Sequence, residues 1–278
     1  MNRLLSIELQ KIWKNKASRI LTLTYFVLLS FIALIASIKF DIGPFKFQAA
    51  EMGVFNFPYI WHFNTYVAVW FKLFLAIVIV SMMANEYTYG TLKQNLIDGL
   101  SKKEFIISKF LTVILFALCS TIFVFIMTLI LGLSFSSYTE FDIVFSDLEY
   151  LLAFFVNLLG FFSFCLFIGT LVKRSAFALG FLLVWFFIEQ IIKGLLAFQI
   201  FPDSNKDRYF TQFLPLESIS NLLIEPGSRL SLIKSIGNQI GVQSAKDYSV
   251  HYSTILIVLV WTFLFIYFSY KLLKNRDL

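Results

Sequence analysis

The chain has 278 residues, 59% of them hydrophobic and 35 of them phenylalanine, against 14% charged and a formal net charge of +6. A soluble domain of this length has too little interior to hide so much apolar surface, so lipid is the expected solvent. No basic patch falls on a soluble stretch, which argues against nucleic acid as a partner.

Residues 1–16 read as an interfacial helix, with Leu5, Leu9, Ile12 and Trp13 on one face and Glu8, Lys11 and Lys14 on another. The apolar run that follows is too long for a cleaved signal peptide and is read as a retained span. Six stretches are long enough, at roughly 20 residues each, to cross a hydrocarbon layer of about 30 Å. They are Ala17–Ile38, Phe63–Ala84, Phe105–Leu133, Leu151–Val172, Ala176–Ile200 and Tyr252–Leu272. The expected fold is therefore an all-α polytopic membrane protein, one transmembrane domain over residues 1–278. The aromatic stretch from Lys39 to His62 is expected at headgroup level. Residues 201–250, cut by Pro202, Pro215, Pro226 and Gly227, read as an external cap with brief helices at Leu216–Ile224 and Leu230–Ile240. Cys119 and Cys165 fall in different spans at different depths, as small packing residues rather than a disulfide.

Short loops rich in Lys and Arg stay cytoplasmic. Arg3, Lys11, Lys14, Lys16 and Arg19 at the start, Lys93, Lys102, Lys103 and Lys109 after the second span, Lys173 and Arg174 after the fourth, and Lys271, Lys274 and Arg276 at the end all fall on one side. The turn holding Glu140, Asp142, Asp147 and Glu149 carries no basic residue and belongs outside. A multi-pass protein of the cell (inner) membrane with both termini cytoplasmic is the result.

Residues 85–104 form a polar island between two apolar spans. Thr91 stands three residues before Gln94, and Ser101 three before Glu104, each the spacing of a capping box at a helix start; Gly99 supplies a stop between them. Tyr89, Leu92, Leu96 and Leu100 recur at helical spacing, opposed by Lys93, Gln94, Asp98 and Lys102. The reading is a short helix under the membrane that shows its polar side to the cytoplasm.

No Gly is followed by Lys, so no phosphate-binding loop is present; no His-Glu-x-x-His pattern and no adjacent aspartates occur. No catalytic residue, metal site or cofactor is expected, and the chain is not read as an enzyme. Three ionisable residues do lie deep in apolar spans: Lys72, Glu189 and Lys193. Lys72 and Glu189 are level, about 18 to 20 Å from the cytoplasmic side at 1.5 Å per residue. Glu189 and Lys193 are one turn apart, a spacing that permits pairing within one helix. Such residues line a pathway or brace two helices as a buried pair, and depth alone does not separate the two. Asn64, Ala68, Lys72 and Ala76 form a small or polar stripe suited to helix packing.

The island resembles the cytoplasmic signature of the type-2 family of ABC-transporter permeases: an acid leaving the second span, Gly-Thr, a short helix, a Ser with a basic residue, and a Lys entering the third span. Here these are Glu86, Gly90 and Thr91, Ser101 and Lys102, and Lys109. Where the family has a Pro before the Ser, this chain has Asp98, Gly99 and Leu100. The resemblance implies a membrane-spanning permease subunit of an ATP-driven transporter, an exporter by expectation, embedded in membrane lipid. It further implies a partner cytoplasmic ABC ATPase subunit and a second permease copy or homologous permease, with Glu86, Gly90, Thr91, Leu92, Leu96, Ser101 and Lys102 coupling to the ATPase. The alternatives are an ion-coupled secondary transporter or channel using Lys72 and Glu189, or a non-transporting membrane scaffold. The substrate is not legible.

Overall fold

The computed structural model describes residues 2–37, 40–42, 45–47, 53–201, 207–227 and 247–276. In chain order it holds helices α1 (Asn2–Lys14) and α2 (Lys16–Ser37), strands β1 (Phe40–Ile42) and β2 (Phe45–Phe47), then α3 (Tyr59–Trp70), α4 (Lys72–Thr88), α5 (Thr91–Ile97) and α6 (Lys102–Phe135). There follow α7 (Phe141–Val144), α8 (Glu149–Val172), α9 (Ser175–Leu195) with a π-helical turn (Leu196–Ile200), α10 (Asp207–Thr211), α11 (Pro215–Ser220) and α12 (Tyr252–Lys274). The described residues are mainly helical, as expected, and include a strand pair that was not: β1 and β2 pair antiparallel, Phe40 opposite Phe47. The period-two triplets Phe-Asp-Ile and Phe-Lys-Phe carry that signal in the sequence. The helix expected over 230–240 lies outside the described residues.

Among the described residues, four helical stretches are long and apolar enough to cross a membrane: Lys102–Phe135, Phe141–Val172, Ser175–Ile200 and Tyr252–Lys274. The α3–α4 pair qualifies as a fifth if taken as one span, but it is not the single straight helix expected over 63–84: it bends by 44° at Phe71. Neither Pro nor Gly marks the break. The Phe71 and Phe74 amides instead bond to carbonyls three residues back, Ala68 and Phe71, so the helical ladder tightens and restarts at Lys72.

Helix α8 is the axis of the bundle, packed by α3, α4, α6, α9 and α12 and buried on nearly every side. Its mostly apolar character on every side therefore reflects protein on all faces rather than lipid. Gly160 makes the approach to α12 close: a Cβ there would stand 2.6 Å from Val258 Cγ1. On α12 the buried residues Val258, Thr262, Phe265, Ser269 and Leu273 recur every three or four positions, one stripe against α8. Helix α9 is the opposite case. Only Ala178 and Glu189 are buried on it, while Phe177, Leu183, Phe187 and Ile191 are open on its flank, ready for lipid or another protein.

Helix α1, the end of α12 and the polar island share one end of the bundle, where Lys109 reaches Glu8 and Lys102 reaches the carbonyls of Lys274 and Arg276. At the other end, Tyr59 donates to the Pro226 carbonyl, the Trp61 indole to that of Val144, and the Tyr150 hydroxyl to that of Tyr248. The described part of the expected cap does more than cover this end. Ile219 of α11 lies against Gly160, and its carbonyl accepts from Asn157 at 2.6 Å. Those α8 positions are eight and eleven residues past Glu149, roughly 12 and 17 Å in. Helix α11 thus enters the bundle.

Candidate functional site

Four charged side chains meet at the end that holds α1 and the polar island. Lys109 Nζ of α6 donates to Glu8 Oε2 of α1 and to Glu86 Oε1 of α4, both at 2.5 Å. Lys11 Nζ reaches Glu86 at 2.8 Å and Glu8 at 3.3 Å, so each ammonium contacts both carboxylates and the group is neutral as a whole. Lys109 is fully buried, and Glu86 and Glu8 are 3% and 4% exposed. Carboxylates and ammoniums so far from water persist only when every member is paired. Burial works to lower the pKa of Lys11, but the hydrogen bond to Glu86 and the charges of Glu8 and Glu86 outweigh it and hold the ammonium above its ordinary 10.5.

Two sequence expectations change here. Glu8 does not stand on a solvated face of α1; it turns inward with Ile12, while Trp13 is exposed. Glu86 is likewise interior, so it contacts the bundle and not the surroundings. Its second oxygen accepts from the Thr91 hydroxyl at 2.5 Å. Thr91 therefore does not form the expected capping box with Gln94: the residue at the helix start is Gly90, with φ of 68°, and no side chain caps it. The left-handed turn at Gly90, open to a side chain of space but not of backbone, lets the chain leave α4 and bring Thr91 back over Glu86.

The far end of α5 follows expectation. Gly99 has φ of 97°, its amide bonds to the Leu96 carbonyl, and the Leu100 amide bonds to that of Asn95, the paired bonds of a left-handed helix stop. Ser101 and Glu104 then cap α6 reciprocally, hydroxyl to backbone and carboxylate to backbone. On α5, Leu92 is buried and Leu96 and Leu100 half-buried, but Tyr89, expected with them, is 71% exposed, and Ile97 is 75% exposed beside Lys93, Gln94 and Asp98. Lys102 is committed to the bundle, donating to the carbonyls of Lys274, the last residue of α12, and of Arg276 just beyond it. Arg276, which sequence reasoning treated only as a charge, donates to the Thr170 and Leu171 carbonyls at the end of α8 and to the Tyr87 hydroxyl. A guanidinium on the unpaired carbonyls of a helix C-terminus satisfies both hydrogen bonding and the helix dipole.

The deep charges are not paired with each other. Lys72 donates to Asn157 Oδ1 at 2.9 Å and stands 4.4 Å from the centre of the Phe161 ring. Glu189 instead accepts from the Trp185 indole at 2.7 Å and from the backbone amides of Leu216 and Glu217 at 3.0–3.1 Å. Pro215, first in α11, has no amide hydrogen, so these are the first two donors that helix offers, and the carboxylate caps it from another element. Lys193 does not fold back to Glu189 either; it donates to Glu217 at 2.7 Å. In place of the Glu189–Lys193 pairing that the spacing permits within one helix, there are two clamps from α9 onto α11. Asn157, Glu217 and Arg276 were missed because their partners lie far off in sequence, though Asn157, a lone amide in a continuous apolar run, was itself a signal.

A family model described as "Protein of unknown function (DUF2705)" matches residues 25–278. A 63-residue stretch is 40% identical to "Uncharacterized protein YhcI" of Bacillus subtilis (strain 168), covering 23% of this chain and 20% of that protein. The match thus spans about a fifth of that relative's length.

Proposed function

We infer that this chain, which belongs to the family DUF2705, is the membrane-spanning permease subunit of an ATP-driven ABC transporter of the exporting kind. It sits in the cell membrane with six spans: α2, the bent α3–α4 pair, α6, α8, α9 with its π turn, and α12. Both termini face the cytoplasm. The observation that carries this reading is the mechanical linkage of α5: Thr91 at its start is tied through Glu86 to a buried charge cluster that joins α1, α4 and α6. A load applied to α5 is thereby delivered to three helices at once. In this reading Glu86, Gly90, Thr91, Ser101 and Lys102 transmit and Leu92 and Leu96 anchor, while Ile97, Tyr89 and Lys93 meet a separate cytoplasmic ATPase. The chain itself hydrolyses no ATP, and it works with a second copy or a homologous permease, for which the open flank of α9 is the available surface. Closure of the ATPase pair moves the spans as rigid bodies between inward and outward states. The ion-relay alternative lacks its pair, since Glu189 is spent on α11 and Lys72 on Asn157.

Co-expression with a cytoplasmic ABC ATPase yields a complex whose ATP hydrolysis this chain stimulates, and Ile97→Asp removes most of that stimulation while leaving the chain inserted. Ile97 is exposed, so the change has no core to disturb; undiminished stimulation would sink the docking role of α5. Sidedness is checked separately. In a chain with Cys119 and Cys165 replaced by Ser, an impermeant thiol reagent added to intact cells labels a cysteine at Ser137, in the acidic turn, and spares one at Ser101. The reverse pattern would invert the topology.

A further inference from the structure

Between α3, α4, α8, α9 and α11 lies a cavity of about 570 Å³, lined by Lys72 and Asn157 inside and by Trp70, Leu73, Leu183 and Phe186 toward the perimeter. Those last four are 68%, 57%, 63% and 45% exposed, so the cavity opens sideways through the apolar belt that faces lipid. Its volume is that of an ordinary small-molecule site. Among the described residues, the one cationic group on its wall is the Lys72 ammonium. Among the described residues that ammonium has a neutral amide and a ring face for partners, and no carboxylate. An ammonium has three donors, and deep in an apolar span a charge without a counter-charge is costly and recruits a partner.

The acids on the same wall do not supply that counter-charge. Glu217 is neutralised by Lys193 at 2.7 Å. Glu225 stands at the outer rim: its neighbours Ile224 and Pro226 bond to His62 and Tyr59, ten to thirteen residues up the α3–α4 line from Lys72, or about 15–20 Å at 1.5 Å per residue.

The geometry points to a binding site for an anionic amphiphile, which enters laterally from the membrane, sets its negatively charged headgroup on Lys72 and Asn157, and leaves its chain between Trp70, Leu73, Leu183 and Phe186. A cation inside and an apolar exit to lipid suit a molecule with both parts; a bare anion would gain nothing from the walls, and a zwitterionic lipid would bring its own cation to Lys72. The inference does not rest on ATP-driven transport, because the site belongs to this chain alone.

The test is native mass spectrometry of the purified full-length chain in detergent, without any ATPase, titrated with phosphatidylglycerol, phosphatidylcholine of the same chains, dodecyl phosphate and inorganic phosphate. One equivalent of phosphatidylglycerol binds at least about tenfold more tightly than phosphatidylcholine. Dodecyl phosphate binding with similar preference identifies any single-chain anionic amphiphile as a ligand; its failure beside phosphatidylglycerol restricts the site to bilayer lipid. Lys72→Met abolishes the preference, Lys72→Arg keeps it, and Leu183→Trp, which fills the cavity without touching the charge, weakens both anionic ligands. Equal binding of the two phospholipids, a preference that survives Lys72→Met, or inorganic phosphate binding as well as the amphiphiles would overturn the assignment. If Lys72→Met does not fold, the Arg and Leu183→Trp variants decide the matter by the same readout.

Discussion

Lys109→Met lowers the stability of the detergent-solubilised protein by about 3–5 kcal/mol, the cost of stranding buried charge when one partner of an ion pair is removed. The substitution keeps the apolar stem of the side chain, so packing along α6 is nearly unchanged and the loss is electrostatic. Glu8 and Glu86 are left sharing Lys11, whose side chain is 36% exposed and already donates to both. The charge-balanced double variant Lys109→Met with Glu8→Gln recovers a large part of the loss, because one ammonium then faces one carboxylate. A thermal melt of the single variant that overlays the wild type would mean that the cluster contributes nothing to folding. A double-variant loss equal to the sum of the Lys109→Met and Glu8→Gln losses would show that Glu8 and Lys109 are not coupled.

Glu189→Leu releases α11. The change leaves the Trp185 indole and the amides of Leu216 and Glu217, all partly buried, without their acceptor, at up to about 1 kcal/mol for each donor. It also removes the negative charge that caps the short helix after Pro215. Ser218, fully buried on α11, reports the event: a cysteine placed there is refractory to thiol reagents in the wild-type background and reacts in the Glu189→Leu background. Glu189→Gln retains an acceptor oxygen and keeps most of the protection. Protection retained in the leucine variant as well would mean that Asn157, through the Ile219 carbonyl, and Lys193, through Glu217, hold α11 by themselves.

The Lys109 cluster and the Glu189 clamp lie at different depths of one bundle, and their neighbours separate what was written locally from what was not. A capping box is a three-residue relation within one segment, so Ser101 and Glu104 were legible and form as read. Gly99 was legible for the same reason, since a left-handed helix stop favours a residue without a Cβ. Thr91 and Gln94 have the same spacing as Ser101 and Glu104, yet Thr91 turns to Glu86. A buried carboxylate is a stronger claim on a hydroxyl than an exposed helix start, and burial is not a property of the local sequence. The bend at Phe71 was invisible because no breaker residue marks it.

What the sequence determined by itself was the solvent and the segmentation: hydropathy over roughly 20 residues fixes where apolar helices run, and glycine and capping residues fix where the polar island starts and stops. Which end of the bundle each loop occupies was likewise foreshadowed by its basic residues. Only the tertiary structure decided which charges meet. Glu8 with Lys109 spans 101 positions, Arg276 with Thr170 spans 106, and Glu189 with the amides of α11 spans 27 and 28. Those pairings depend on how each helix is rotated about its own axis, and rotation is set by packing around α8, where Gly160 lets α12 and Ile219 close in. A one-dimensional pattern gives a helix its faces; it takes the neighbours to choose which face turns inward.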